Sequence, residues 1–478
     1  MIQPHYAFKL EEEVGLQVTA LAGLPLLYEV FHRMKLPEII QKHAQVKQDG
    51  WSDTELIETI VALVSAGGEH MDDVGLLQSD PALLSLLGKE SEPSDRKNRR
   101  KELPAAKAIA RYLKGFHRDF QRPEGVLAFV PEETQELQGL GCVLQTVARK
   151  MIHKAGLKAV TIENDATPVF SHKQEAQGTY KGGIGYMPVT ATVAELGITI
   201  ADEFRDGNVP PAFEVTRFFK EGLKAIPTGV RVKARLDGAY YDQELIAFLQ
   251  DPNKAWGVIE FTITAKKTAS LLEWIEALPG SAWKPLMRLT SSGPEPTGRE
   301  WAELSWTSAG GSQAEMKARR LRYLVTRKME AQWELFQKEF KDEVKAKDRY
   351  EVICTNQDWA GDRLIRWHYE RGGSIEHTHD RIKNDLAGGV MPCGEFGANA
   401  AWWRLQCLAW NLVRALQLYA LEGELQSCHM KKLRRTLLCI AGKVVRHARN
   451  LILKLTARHP AFGMYEEARR RLSCLAFP

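Results

Sequence analysis

Apolar positions in the first 150 residues recur at helical spacing. Leu56, Ile57, Ile60, Val61, Leu63 and Val64 form one such stripe, with Ser52 and Glu55 placed as a capping box before it and Gly67-Gly68 after it, a start and stop that predict a helix. A second helical stretch runs through 74–77, breaks at Pro81 and resumes through Leu83, Leu84 and Leu87 to Gly88. A short extended start falls at 6–10, and a charged connector at 92–102 precedes a further helix over 105–116. Two short helices joined by a turn and flanked by bases fit a helix-turn-helix, though hairpins of this kind more often touch no nucleic acid.

From residue 159 the period changes from helical to alternating. A strand at 159–163 closes on Asp165, strands at 188–194 and 197–204 flank a tight turn at Glu195-Leu196-Gly197, and an amphipathic helix follows at 213–224. A strand at 230–236 closes on Asp237, and a helix at 241–249 leads to a strand at 256–265 that ends at Lys266-Lys267. Strand, hairpin, helix and strand in this order predict an α/β sheet with a crossover. Residues 270–355 then carry Trp274, Trp283, Trp301 and Trp306 among Gly, Ser and Pro, with strands at 322–327 and 350–355; they read as a β-rich insertion. The charged segment 328–347 inside it reads as a hairpin extension or short helix. From Trp367 to the end the pattern is helical, with Leu408, Trp410, Leu412, Val413, Leu416 and Leu418 as core. Neither an internal repeat nor a low-complexity tract interrupts it.

A chain of 478 residues exceeds one compact core and divides into two to four domains, and 44% hydrophobic content belongs to a folded protein rather than a disordered scaffold. The net charge of +5 is modest, but Arg404, Arg414, Lys431, Lys432, Arg434, Arg435, Lys443, Arg446, Arg449, Lys454, Arg458, Arg469, Arg470 and Arg471 crowd the last part. Such an end suits a polyanionic partner, although basic helices are also often plain solvated faces. Seven cysteines, an odd number without C-x-x-C spacing, read as free thiols in a reducing compartment. The opening residues lack a secretion-signal pattern and no apolar run reaches the ~18 residues a bilayer span needs, so a cytoplasmic location without membrane contact is expected.

The candidate chemistry is carboxylate chemistry. Asp165 and Asp237 each close a strand, where an α/β sheet delivers side chains to a shared site; taken singly, each also suits a turn or cap. Glu376, on a helix packed against that sheet, can add a third oxygen ligand. Three carboxylates without thiolate or paired histidine favour Mg²⁺ or Mn²⁺ over Zn²⁺, and two such ions can drive an in-line displacement at phosphorus. His377 and His379, two apart, face different sides of a helix and make poor joint ligands. His172, Lys173 and Tyr180-Lys181-Gly182-Gly183 can approach a phosphate, while Arg205-Asp206-Gly207-Asn208 reads first as a turn.

Strand-Asp165, strand-Asp237-Gly238-Ala239-Tyr240-Tyr241, a β insertion, then Tyr369, Arg371, Glu376 and Lys383 together resemble the DDE transposases of bacterial insertion sequences. The resemblance lies with the group whose glutamate sits in a Tyr, Arg, Glu, Lys signature, and it covers residues 10 to about 420. Glu203-Phe204-Arg205-Asp206-Gly207-Asn208-Val209-Pro210, Ile162 to Thr167 and Ala66 to Asp73 resemble one subgroup of it. It implies an RNase H-like catalytic core interrupted by a β-rich insertion domain, with helical N-terminal and C-terminal regions. The implied division is 1–150 for DNA binding or dimerisation, 151–267 and 358–420 for the core, 268–357 for the insertion and 421–478 for a basic helical end. Asp165, Asp237 and Glu376 match the metal-binding triad, holding two Mg²⁺ or Mn²⁺ ions, and Tyr369 and Lys383 match phosphate-contacting positions. The usual spacing would place the arginine at Gly372, whereas this chain has Arg371. On a helix that shift turns the side chain by about 100°, so either its role differs or the segment is not yet helical, and Gly372-Gly373 favours the latter.

The activity implied by the resemblance is cut-and-paste transposition. A transposon end is hydrolysed, the freed 3′-hydroxyl attacks the other strand to give a hairpin, and the end later joins target DNA, a homodimer pairing two terminal inverted repeats. His172, Lys266 and Trp301 join Tyr369, Arg371 and Lys383 as expected DNA contacts, and Trp283, Trp301 and Trp306 are candidates to stack on a flipped base, although core packing is the better reading of any single one. Two other readings fit the same residues: a DNA-binding protein of this fold that does not cleave, and a metal-dependent nuclease unconnected with transposition.

Overall fold

The computed structural model describes residues 15, 17–89, 103–304, 306, 321–329, 349–448 and 450–478. The expected start at 6–10, the connector at 92–102, most of the charged segment at 328–347 and Arg449 lie outside the described residues.

The N-terminal part is a short strand β1 (Val18–Thr19) followed by helices α1 (Leu24–Arg33), α2 (Leu36–His43), α3 (Asp53–Ala66), α4 (Val74–Gln78), α5 (Pro81–Leu86), α6 (Ala106–Lys114) and α7 (Gln135–Lys154). The capping box forms: Ser52 Oγ accepts from Glu55 N at 3.2 Å and Glu55 Oε2 accepts from Ser52 N at 2.8 Å. Gly67 ends α3 at φ 107°, a left-handed conformation that glycine reaches without a Cβ clash. Pro81 opens α5, where its missing N–H has no helical partner to lose.

The sheet strands come next: β2 (Ala159–Ala166), a small excursion β3 (Val169–Phe170), β4 (Gln177–Gly178) and β5 (Ile184–Tyr186), then β6 (Val189–Val193) and β7 (Ile198–Glu203). Helix α8 (Val215–Leu223) leads to β8 (Arg231–Leu236), α9 (Gln243–Gln250), β9 (Glu260–Thr264) and α10 (Ala269–Glu276). Strands β10 (Lys284–Thr290), β11 (Gly293–Leu304), β12 (Arg322–Lys328) and β13 (Tyr350–Thr355) follow. Among the described residues nine of these make one sheet in the order β10-β11-β12-β13-β9-β8-β2-β6-β7. β2, β8 and β9 run parallel and the remaining neighbours antiparallel. The strands of the expected insertion therefore continue the central sheet edge to edge, β13 pairing with β9 through Ile353 and Thr264. Helix α10 was hidden in the sequence by the Trp, Gly and Pro around it; Thr268 Oγ1 caps it, accepting from Leu271 N at 3.3 Å.

The rest of the chain comprises α11 (Gly361–Tyr369), a 3₁₀ turn Glu370–Gly373, α12 (Ile375–Asp380) with a π turn Arg381–Asp385, α13 (Phe396–Ala420), α14 (Met430–Leu433), β14 (Gly442–His447), β15 (Asn450–Lys454) and α15 (Ala461–Ser473). Helix α13 is apolar almost all round and is buried accordingly, Trp402 and Trp403 fully. Its few polar side chains cover the backbone of the β7 edge. Asn411 accepts from Thr199 N at 2.8 Å and donates to Thr199 O at 2.7 Å, Arg404 donates to Asp202 O, and Trp410 donates to Gly197 O. An open strand edge is thereby closed by side chains.

The expectation of a wholly helical C-terminal region is corrected here. Strands β14 and β15 pair antiparallel, and β14 also pairs with β1, Val18 with Lys443 and Thr19 with Gly442. Val444, Val445 and Ile452 are β-branched, and β1, more than 400 residues earlier, supplies the third strand that a hairpin needs to persist.

Candidate active site

Asp165 lies within β2 rather than beyond its end, and Asp237 directly follows β8. β2 and β8 are parallel neighbours with Ile162 opposite Ala234; the same register carried three residues further sets Asp165 level with Asp237. Asp237 also caps the short turn after β8, its Oδ1 accepting from Ala239 N at 3.0 Å. Burial pushes the Asp165 carboxyl up to about 6, the charge of Asp237 adds to this, and Arg371 opposes it. Asp237 is raised as well, by burial, against the pull of Arg371.

The 3₁₀ turn brings Arg371 over the two strands, its Nη1 3.8 Å from Asp165 Oδ2. The segment at Arg371 is thus a turn between two α-helices, as Gly372-Gly373 suggested. Glu376 is exposed on the first turn of α12, and a Cβ on Gly372 would lie 3.9 Å from its Oε1, so its carboxylate leans back toward that turn. Its charge also raises Asp165. Among the described residues no three Asp, Glu, His or Cys side chains converge tightly enough to enclose an ion.

Tyr369 and Lys383 flank this centre on protein partners. The Tyr369 hydroxyl is 2.6 Å from Glu351 Oε2 and 2.8 Å from Thr326 Oγ1, and Arg299 Nη1 donates to it at 3.2 Å, which ties α11 to β11, β12 and β13. Lys383, on the π turn, donates to Pro168 O at 2.7 Å and Thr167 Oγ1 at 3.2 Å, just past the end of β2. Burial lowers its pKa and the neighbouring Lys181 lowers it further. Tyr180, in the β3–β5 excursion, has its pKa raised by burial and then by the charges of Asp165 and Asp237. His172 is exposed in this excursion and Lys266 is exposed just after β9. Trp301 is half-buried, packed so closely on α11 that a Cβ at Gly361 would meet its ring at 2.3 Å. Trp283 is buried beneath the Arg327 guanidinium, 3.9 Å from its ring centre, and Trp306 is buried edge-on against Tyr323.

Beneath these groups lies a buried ion pair that strand periodicity alone did not single out. Arg235 and Glu163 precede Asp237 and Asp165 by two residues each, so strand alternation puts all four on one face. Arg235 Nε donates to Glu163 Oε1 at 2.6 Å, both side chains being buried, and its Nη1 donates to Trp367 O at 2.6 Å and Glu370 Oε2 at 2.9 Å. The Ser374 hydroxyl donates to Glu163 Oε2. The ion pair thus anchors α11, the Arg371 turn and the start of α12 onto the sheet. The available signal was a charge of the same strand parity as each aspartate inside an apolar run.

Two histidines brace the same segment. His379 Nε2 is 2.6 Å from Thr190 Oγ1 on β6, and His368 lies 2.9 Å from both Thr262 and Thr264 on β9. Burial pushes both down to about 3, His379 with help from Lys383 and Arg371. A histidine held neutral in the fold but titrating near 6.5 when unfolded leaves stability intact above pH 6.5 and removes it as pH falls toward 3. For His379 the expected loss between pH 7 and pH 5 is about 2 kcal/mol. Urea unfolding at both pH values should show the smaller loss in His379→Gln; equal losses in parent and variant would refute a buried neutral imidazole.

The family model described as Transposase DDE domain group 1 matches residues 10–476. The chain belongs to the DDE transposases. No curated protein matches it. Among solved structures, the transposase is similar to the chain in a cryo-EM structure of a piggyBac transposase synaptic complex with hairpin DNA. The identity is 11%, over 88% of this chain and 79% of that one, with a TM-score of 0.41. Nearly the whole transposase, from before β1 to beyond α15, thus falls within one family model. No described helix of the transposase is long and apolar enough to cross a membrane.

Proposed function

We propose that this transposase moves a bacterial insertion sequence by cut-and-paste, with Asp165, Asp237 and Glu376 as its catalytic carboxylates on an RNase H-like core. One observation carries the reading: parallel strands β2 and β8 bring Asp165 and Asp237 level, far apart in sequence, with the Arg371–Glu376 segment held over them. The donor set fits a hard divalent cation, being three carboxylates, of which Asp237 and Glu376 raise the Asp165 pKa while Arg371 lowers it. Asp165, Asp237 and Glu376 would hold Mg²⁺ or Mn²⁺, which when bound, as a pair, activates the attacking oxygen and stabilises the leaving one. Lys383, Lys181 and Arg371 orient the scissile phosphate by charge, and Tyr369 by its hydroxyl. The partner is double-stranded DNA, first a terminal inverted repeat and then the target, with two copies of the chain pairing two ends.

Incubation of full-length protein with Mg²⁺ and a duplex carrying the element's end tests this directly. The expected products on a denaturing gel are a nicked strand and then a hairpin end. Binding without any cut would leave the non-cleaving DNA-binding reading, and cutting indifferent to the end sequence would favour a general nuclease.

A further inference from the structure

The C-terminal bases are the part of the sequence that the catalytic site does not use. From Leu425 to Tyr465 the chain carries nine lysines and arginines and neither aspartate nor glutamate. Some of these bases are engaged internally: Arg434 donates to the carbonyls of Val64, Ser65 and Asp385, and Lys432 pairs with Glu424. The hairpin differs. Its register sets Lys443 opposite Lys454, Val445 opposite Ile452 and His447 opposite Asn450. Cross-strand partners share a face, so these three pairs make one surface, while the buried Val444 and its partner Leu453 make the inner one. Lys443 and Lys454 are exposed and neither forms an ion pair among the described residues. Like charges set directly opposite weaken a strand ladder, and a polyanion lying across them would relieve the repulsion.

The helix pair α4–α5 packs against the hairpin from the inner side. Ala82, Leu83, Leu84 and Ser85 of α5 are buried and the helix carries no base. Its role is to seat the hairpin. Asp80, which caps α5, accepts from Thr19 Oγ1 at 2.5 Å, and Thr19 pairs with Gly442. Gly442 leaves no room for a side chain, since a Cβ there would stand 2.6 Å from Leu453 and 2.9 Å from Ala22.

We infer that the outer face of β14–β15 is a DNA-backbone arm, in which Lys443 and Lys454 take phosphates while Val445 and Ile452 lie against the sugars. This rests on the reading of the protein as a DNA transposase and adds the surface that grips the duplex. Contacts of this kind fix position without reading sequence, so the arm works on any duplex.

Full-length protein binding a random-sequence duplex of about 30 base pairs across a salt series tests it. For Lys443→Ala/Lys454→Ala, the slope of log affinity against log salt is expected to become shallower by about 2, since each lost phosphate contact removes about 0.9. Lys443→Glu separates binding from folding. It creates an opposite-charge pair with Lys454, so the melting temperature holds or rises while duplex binding weakens. An unchanged slope in both variants beside a parent that binds normally overturns the arm and leaves the transposase reading standing, as an edge strand merely guarded by charge would behave. So does Lys443→Glu binding as tightly as the parent while the alanine variant binds less and melts lower. A parent that binds no duplex overturns both.

Discussion

Asp165→Asn is expected to abolish Mg²⁺-dependent cleavage, a loss of at least about a thousandfold, while leaving duplex binding at or above the parent level. The two halves of that expectation have one cause. Asp165 stands beside Asp237 and within the field of Glu376, with Arg371 as the opposing charge. Removing its charge would take away one of the proposed metal ligands, and it also takes a repulsive anion away from the path of a phosphate backbone. Stability should move in the same direction as binding. A carboxyl raised to about 6 contributes stability below the ordinary aspartate range and loses it as pH rises through 6. At neutral pH the folded protein therefore carries an unfavourable charge, on the order of 3 kcal/mol, and the asparagine variant should melt higher. Cleavage by Asp165→Asn at the parental rate would remove Asp165 from the site.

Arg235→Leu is the second substitution with a large expected effect. It leaves Glu163 buried without its cation, and breaking a buried pair from one side costs about 3–5 kcal/mol. The double variant Glu163→Leu/Arg235→Leu is expected to regain most of that stability, because two apolar side chains of suitable volume replace a desolvated pair without an orphaned charge. Cleavage should not return with it. Arg235 also holds Trp367 O and Glu370, and Glu163 holds Ser374, so the double variant folds without the ties that keep Arg371 and Glu376 above the strands. Chemical denaturation and end cleavage, measured on the same three proteins, decide the point. Recovery of both together would show that the pair only stabilises the fold.

Local patterns were legible in the sequence wherever the deciding interactions are local. The capping box of Ser52 and Glu55, the stop at Gly67 and the turn at Glu195 to Gly197 each depend on neighbours within a few residues, and the structure contains all three. The proximity of Asp165 and Asp237 was legible for a different reason: each ends an apolar β-prone run, and parallel strands align such ends. What could not be seen depends on distant partners. Val444 and Ile452 sit in a basic segment that looks helical until β1 is known to lie beside them. Glu163 and Arg235 look like ordinary strand residues until the sheet order makes them neighbours. The packing of the Trp301 ring on α11 was not visible either, because it depends on Gly361, 60 residues further on, leaving room for it.

The pairing of β1 with β14 has a consequence for biosynthesis. Residues 17 to 23 hydrogen-bond to 438 to 444, Ala22 N to Ile440 O, Gly23 N to Leu438 O and Val444 N to Gln17 O among them. The first of these segments leaves the ribosome long before the second exists. At roughly 5–20 residues per second its wait is on the order of tens of seconds. Strands β2 and β8 are translated within that interval, so Asp165 and Asp237 can come together on a nascent chain that has no seated hairpin. Products of premature termination or of a frameshift upstream of Gly442 therefore lack the arm altogether, and the proposed grip on DNA becomes a property of chains read through to their last strands.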